Sequence, residues 1–134
     1  MEAALMHSAF TPVILLHTFA ALAALALGGA MFLAAKGTPL HRMAGRSWVA
    51  LMLVVAISSF WIRGNGTFSW IHALSVMVIA MLGAAVHLAV THRIRAHRRM
   101  VIGLYGGGLV LAGLFTLLPG RLLGRFVWSG LGLA

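Results

Sequence analysis

Long uncharged apolar runs, separated by short basic or glycine-containing breaks, dominate the chain. Four stand out: Thr11–Ala35, Ser47–Ile62, Phe68–Val90 and Met100–Leu118. A helix needs about 20 mainly apolar residues to cross the hydrocarbon core of a bilayer. Three runs reach that length. The second falls short, so it is expected to borrow from Met43–Gly45 or to sit in a tilted or locally thinned setting. Pro39, in Lys36-Gly37-Thr38-Pro39, breaks off the first helix, and Pro119-Gly120 ends the fourth. Beyond it, Arg121 and Arg125 alternate with Leu122, Leu123, Phe126, Val127 and Trp128. That pattern suits either an amphipathic segment on the membrane interface or a packed extension.

The pattern also repeats. Gly28 follows His17 by eleven positions, and Gly83 follows His72 by the same eleven. His41-Arg42 closes the first copy and His97-Arg98 the second. The expected fold is an all-α integral membrane protein: a four-helix up-down bundle built from two tandem hairpins related by a pseudo-two-fold axis along the membrane normal. Residues 1–134 form one membrane domain on this reading, with hairpin 1 over about 10–63, hairpin 2 over about 68–118 and a tail at 119–134. The first and third helices then lie diagonally opposed. His17 is about six residues below the outer end of its helix and His72 about four, depths that agree within a turn at 1.5 Å per residue. Carrying the register onward pairs Ser59 with Thr116. One polar layer, His17–Ser59–His72–Thr116, is therefore expected across the outer half of the core.

Composition agrees with a bilayer setting. Of 134 residues, 62% are hydrophobic and only 8% charged, against roughly a quarter charged in soluble domains. The formal charge is +9, and its placement argues for lipid headgroups rather than nucleic acid. Lys36, Arg42, Arg46, Arg93, Arg95, Arg98 and Arg99 fall on one side, and Arg63, Arg121 and Arg125 on the other. The positive-inside rule then expects a bacterial inner-membrane protein with both termini outside the cytoplasm, its basic loops facing anionic lipid. Met1-Glu2-Ala3-Ala4 lacks the basic start of a secretory signal, so the first helix is expected to be retained. Phe10, Trp61, Phe68 and Trp70 are expected at the outer interface and Trp48 at the inner one. The glycines at 28–29, 83, 106–108 and 113 fit either tight helix packing or clearance for a flat cofactor.

Several stretches together carry a family likeness: Lys36-Gly37-Thr38-Pro39-Leu40-His41-Arg42-Met43-Ala44-Gly45-Arg46-Ser47-Trp48, Ile57-Ser58-Ser59-Phe60, Phe68-Ser69-Trp70-Ile71-His72-Ala73-Leu74-Ser75, His97-Arg98-Arg99-Met100 and Phe115-Thr116-Leu117-Leu118-Pro119-Gly120-Arg121. The chain resembles an uncharacterised bacterial family of predicted four-helix membrane proteins, a domain of unknown function. The resemblance implies an integral membrane protein and no particular activity.

Elimination narrows the chemistry. Glu2 is the sole carboxylate side chain and cysteine is absent. Di-iron carboxylate sites, Ser–His–Asp hydrolysis, carboxylate proton relays and thiolate metal sites are thereby excluded. Imidazoles, hydroxyls, thioethers and arginines remain. The sharpest candidate is haem b held between His17 and His72, transferring single electrons to or from a quinone or a redox partner protein. Thr18 or Ser75, or Ser59 and Thr116, would hold the second ring nitrogens, and Arg63 and Arg121 would pair with propionates. A second site from His87, His41 and His97 is weaker, because the repeat counterpart of His87 is Phe32. His7 and His92 look peripheral. Met6 with His7, or Met77 with Met81, offers a copper alternative. Tyr105 suits a quinone carbonyl or interfacial anchoring. The plain alternative is a non-enzymatic subunit whose buried histidines only tie helices together.

Overall fold

The computed structural model describes residues 11–62, 70–118 and 121–133. Among these there is no strand. The chain forms α1 (Pro12–Leu33), α2 (Pro39–Ser59), α3 (Trp70–Val90), α4 (Ile94–Gly103), a π-helical segment (Leu104–Leu111), α5 (Ala112–Thr116) and α6 (Leu122–Gly130). From α4 to α5 the backbone is one rod, so four helices, Pro12–Leu33, Pro39–Ser59, His72–Val90 and Ile94–Thr116, are long and apolar enough to cross a membrane.

The starts of α1 and α2 are built alike. Thr11 and Thr38 are N-caps whose hydroxyls accept from Ile14 N and His41 N, each followed by proline at the first helical position. Proline has no N–H to lose there and its φ is already helical. Thr38 thus sets the start of α2 well before the apolar run at Ser47. The second span gains its length from Pro39 onward, further back than Met43–Gly45, and reaches 21 residues. At the end of α1 the Lys36 ammonium donates to the Phe32 and Ala34 carbonyls, a cation against the negative end of the helix. Gly37, at φ +77°, makes the turn between the two.

The apolar core runs from the middle of the bundle toward the α1–α2 turn. Met52, Leu82 and Leu104 are fully buried, with Ala24, Trp48, Ala56, Val78, Ala85 and Leu109 around them. Gly28 is the keystone. A Cβ there would lie 2.6 Å from Tyr105 Cε2 and 2.8 Å from Trp48 Nε1, so only glycine lets both rings lie against α1. Trp48 Nε1 donates to the Ala24 carbonyl at 3.0 Å, and the Tyr105 hydroxyl to the Leu25 carbonyl at 2.8 Å. Trp48 is 4% exposed. It is therefore a core residue and not the inner interfacial anchor expected from its sequence position. Trp61, 68% exposed, does face outward.

Outside this core the large side chains point away from the protein. Phe19, Leu22, Val76, Val86, Leu111 and Leu114 are all exposed. Exposing each to water would forgo roughly 1.5–3 kcal/mol of burial, which identifies hydrocarbon as the solvent of these faces.

Candidate functional site

The inward stripe of α3 runs through His72, Ser75, Val78, Leu82 and Ala85, all buried. On α1 the corresponding stripe runs through His17, Ala20, Ala24 and Gly28, with His17 partly covered. Both imidazoles reach the same turn of α2. His17 Nδ1 lies 2.9 Å from Ser58 Oγ. The His72 ring, 3% exposed as a residue, lies 5.6 Å from the Phe60 ring. Neighbouring helical positions are about 100° apart, so Ser58 faces α1 while Ser59 faces α3, where its hydroxyl bonds Ser75.

Ser58 also orients the His17 ring. Its hydroxyl donates to the Val55 carbonyl at 3.1 Å, which uses its single proton. That places the imidazole Nδ1–H as donor to Ser58 Oγ and, in the neutral ring, leaves the lone pair on Nε2. A neutral imidazole with its second nitrogen anchored is the form used for metal ligation.

The fourth rod departs from its neighbours at this level. Gly108 lies opposite Val78 and Met52, so about one turn further on, α5 reaches the level of Ser75 and His72. Among the described residues α5 packs substantially only on the π segment before it and α6 after it. A Cβ at Gly113 would meet nothing within 4 Å, and the same holds at Gly106 and Gly107. Leu114 and Phe115 are more than half exposed. The rod thus stands off from α1 and α3 beside the two histidines. A shallow apolar groove between α1 and α2 is lined by Val13, Leu16, Val54, Ile57, Ser58 and Trp61.

The other expected site residues are dispersed. Thr116 is exposed and donates to Gly113 O in its own helix. It makes no bond to Ser59, whose partners are Ser75 and the Ala56 carbonyl. Among the described residues the polar layer includes two separate contacts, His17–Ser58 and Ser59–Ser75. Arg63, with Met6, His7, Phe10 and Phe68, lies outside the described residues. Arg121 is exposed at the start of α6. His87 is exposed on α3, and His92 is exposed at φ +59° in the turn after it. His97 Nδ1 donates to the Ala85 carbonyl at 2.8 Å, and His41 is half-buried on the first turn of α2. Met77 is 49% exposed, while the Met81 methyl packs toward Gly103. The Tyr105 hydroxyl is committed to Leu25. No cluster of three or more histidine, cysteine or acidic residues suited to a metal occurs among the described residues.

Ser58 has no counterpart in the repeat, which pairs its neighbour Ser59 with Thr116. The Ser58-Ser59 doublet was itself the usable signal, since adjacent hydroxyls address two different neighbouring helices.

Residues 14–127 match the family described as Predicted membrane protein (DUF2306). The chain belongs to that family. Comparison with curated proteins and with solved structures gave no match. Membership agrees with the four apolar helices, and the family description names no reaction.

Proposed function

We propose that this family member is a small b-type electron carrier of the bacterial inner membrane, with His17 and His72 as axial ligands of one haem and a quinone or redox protein as partner. The observation that carries the proposal is the convergence of two inward imidazoles, from helices without substantial mutual packing, on one turn of α2. The donor set fits haem b. Two neutral imidazoles are sufficient axial ligands, no third protein ligand is required, and the Ser58 bond leaves His17 Nε2 as the ligating atom. Bound haem would supply one-electron exchange between ferrous and ferric iron.

The residues of the chain would hold and tune that group. Ser58 orients His17, the buried stripe of α3 excludes water around His72, and the stand-off of α5 gives a flat molecule lateral room. Arg121 offers a forked cation to carboxylates at the outer end. An up-down arrangement is supported by contacts that step in opposite senses along neighbouring helices. His17 and Met31 of α1 meet Ser58 and Gly45 of α2, and Val78 and Ala85 of α3 meet Gly108 and His97 of the fourth rod. The two-fold relation rests on the matched sequence positions, since both histidines lean on α2. Seven cations against three support termini outside the cytoplasm.

A second reading follows from the Ser59–Ser75 bond. The polar residues would tie α1, α2 and α3 together and bind nothing, at roughly 0.6–2 kcal/mol per contact. Protein isolated in detergent from haem-replete membranes separates the two. The carrier should show a low-spin bis-imidazole visible spectrum, lost in both His17→Ala and His72→Ala. A colourless, folded preparation overturns the carrier and leaves the tie.

A further inference from the structure

We propose that the end of the bundle bearing the α1–α2 and α3–α4 turns is a binding surface for the phosphate of an anionic phospholipid headgroup, seated between the first turns of α2 and α4. Arg42, Arg46, Arg93, Arg95, Arg98 and Arg99 are all exposed there. Among the described residues none of their guanidinium groups has an ion pair or hydrogen bond. Lys36 is different, being spent on the carbonyls that end α1. The chain has no acidic side chain except Glu2, so this charge has almost no internal counter-ion and must be balanced from outside.

Helix ends add to the same field. The N-terminus of a helix carries partial positive charge and favours acidic residues in its first turn. Both α2 and α4 have none, and they carry His41 with Arg42, and Arg95 with His97 and Arg98, instead. Arg93, the N-cap of α4, provides no side-chain cap. These two turns share one end of the bundle, because Trp48 and Tyr105, nine and eleven residues beyond the starts of α2 and α4, meet at Gly28. The histidines present their outer nitrogens. His41 Nδ1 is covered by protein, and His97 Nδ1 is bound to Ala85 O. Six free guanidinium groups, two imidazole edges and two positive helix ends at one place suit a phosphate.

Position selects the lipid source. The patch abuts four helices that expose apolar side chains to hydrocarbon, which puts it at headgroup depth. Turns of three to five residues (91–93 and 34–38) keep it from projecting further.

Native mass spectrometry of the full chain in detergent, with phosphatidylglycerol, cardiolipin, phosphatidylethanolamine and phosphatidylcholine in turn, tests the assignment. Retention of the two anionic lipids over phosphatidylcholine is expected. The triple variant Arg42→Gln, Arg95→Gln, Arg98→Gln should weaken that retention on the order of a hundredfold. Arg125→Gln, at the other end, should leave it unchanged, and Lys replacements at the three positions should restore most of it. Equal retention of phosphatidylcholine, or a triple variant that holds anionic lipid as well as the parent, overturns the proposal. Displacement of the lipid by millimolar inorganic phosphate would overturn the lipid source in favour of a free-phosphate site.

Discussion

The two halves of this bundle are built on different principles. Near the basic turns, helices close on apolar surface and on a glycine that admits two aromatic rings. At the other end α1, α2 and α3 meet through hydroxyls and imidazoles while the fourth rod stands aside. In hydrocarbon there is little hydrophobic gain from bringing helices together, so shape complementarity supplies most of the cohesion. One half therefore gains its cohesion from van der Waals fit around a glycine, and the other from buried hydroxyl and imidazole contacts, where the proposed ligand would sit.

Gly28 and Gly83 give the widest test of that division, because they occupy matched positions in the two sequence repeats. Gly28→Val drives a side chain into Tyr105 and Trp48 and should cost about 3 kcal/mol. Gly83→Val enters open space and should stay within about 0.5 kcal/mol. Unfolding titrations in mixed micelles would measure both, and equal costs would break the contrast. Next in size, Trp48→Phe removes the bond to Ala24 O and part of the ring that covers Gly28, for an expected loss of about 1–2 kcal/mol in the same assay.

Within the polar half the expected effects are smaller and more selective. Ser58→Ala and Ser59→Ala should each destabilise by about 0.6–1.7 kcal/mol. Ser58→Ala should also move the midpoint potential of a haem bound as proposed, because Ser58 Oγ holds the His17 ring. Potentiometric titration of that variant against the parent would read the shift. Thr116→Val is the smallest change. The hydroxyl bonds its own helix and is exposed, so stability should shift by less than about 0.5 kcal/mol and the spectrum not at all.

The spans were legible because hydrocarbon selects for long uncharged runs, and all four appear as helices. The start of α2 was not, since His41, Arg42 and Arg46 interrupt hydropathy while leaving the helix intact from Pro39. Trp48 was misplaced by the preference of tryptophan for interfaces. That preference gave no account of the space left by a glycine on the facing helix. The levels of His17 and His72 followed from counting along two helices. Their asymmetric partners did not, because matched sequence positions carry no information about which neighbour each ring leans on. Hydropathy is also blind to whether a backbone is wound as α or π, so the parting of the fourth rod had no trace in the runs.

The π-wound stretch from Leu104 to Leu111 has a consequence of its own. Each widened turn takes in one residue more than an α turn, which offsets the following segment by about 100°. Ala112–Thr116 therefore turns a different face toward the imidazoles than an unbroken α-helix seated by Tyr105 would.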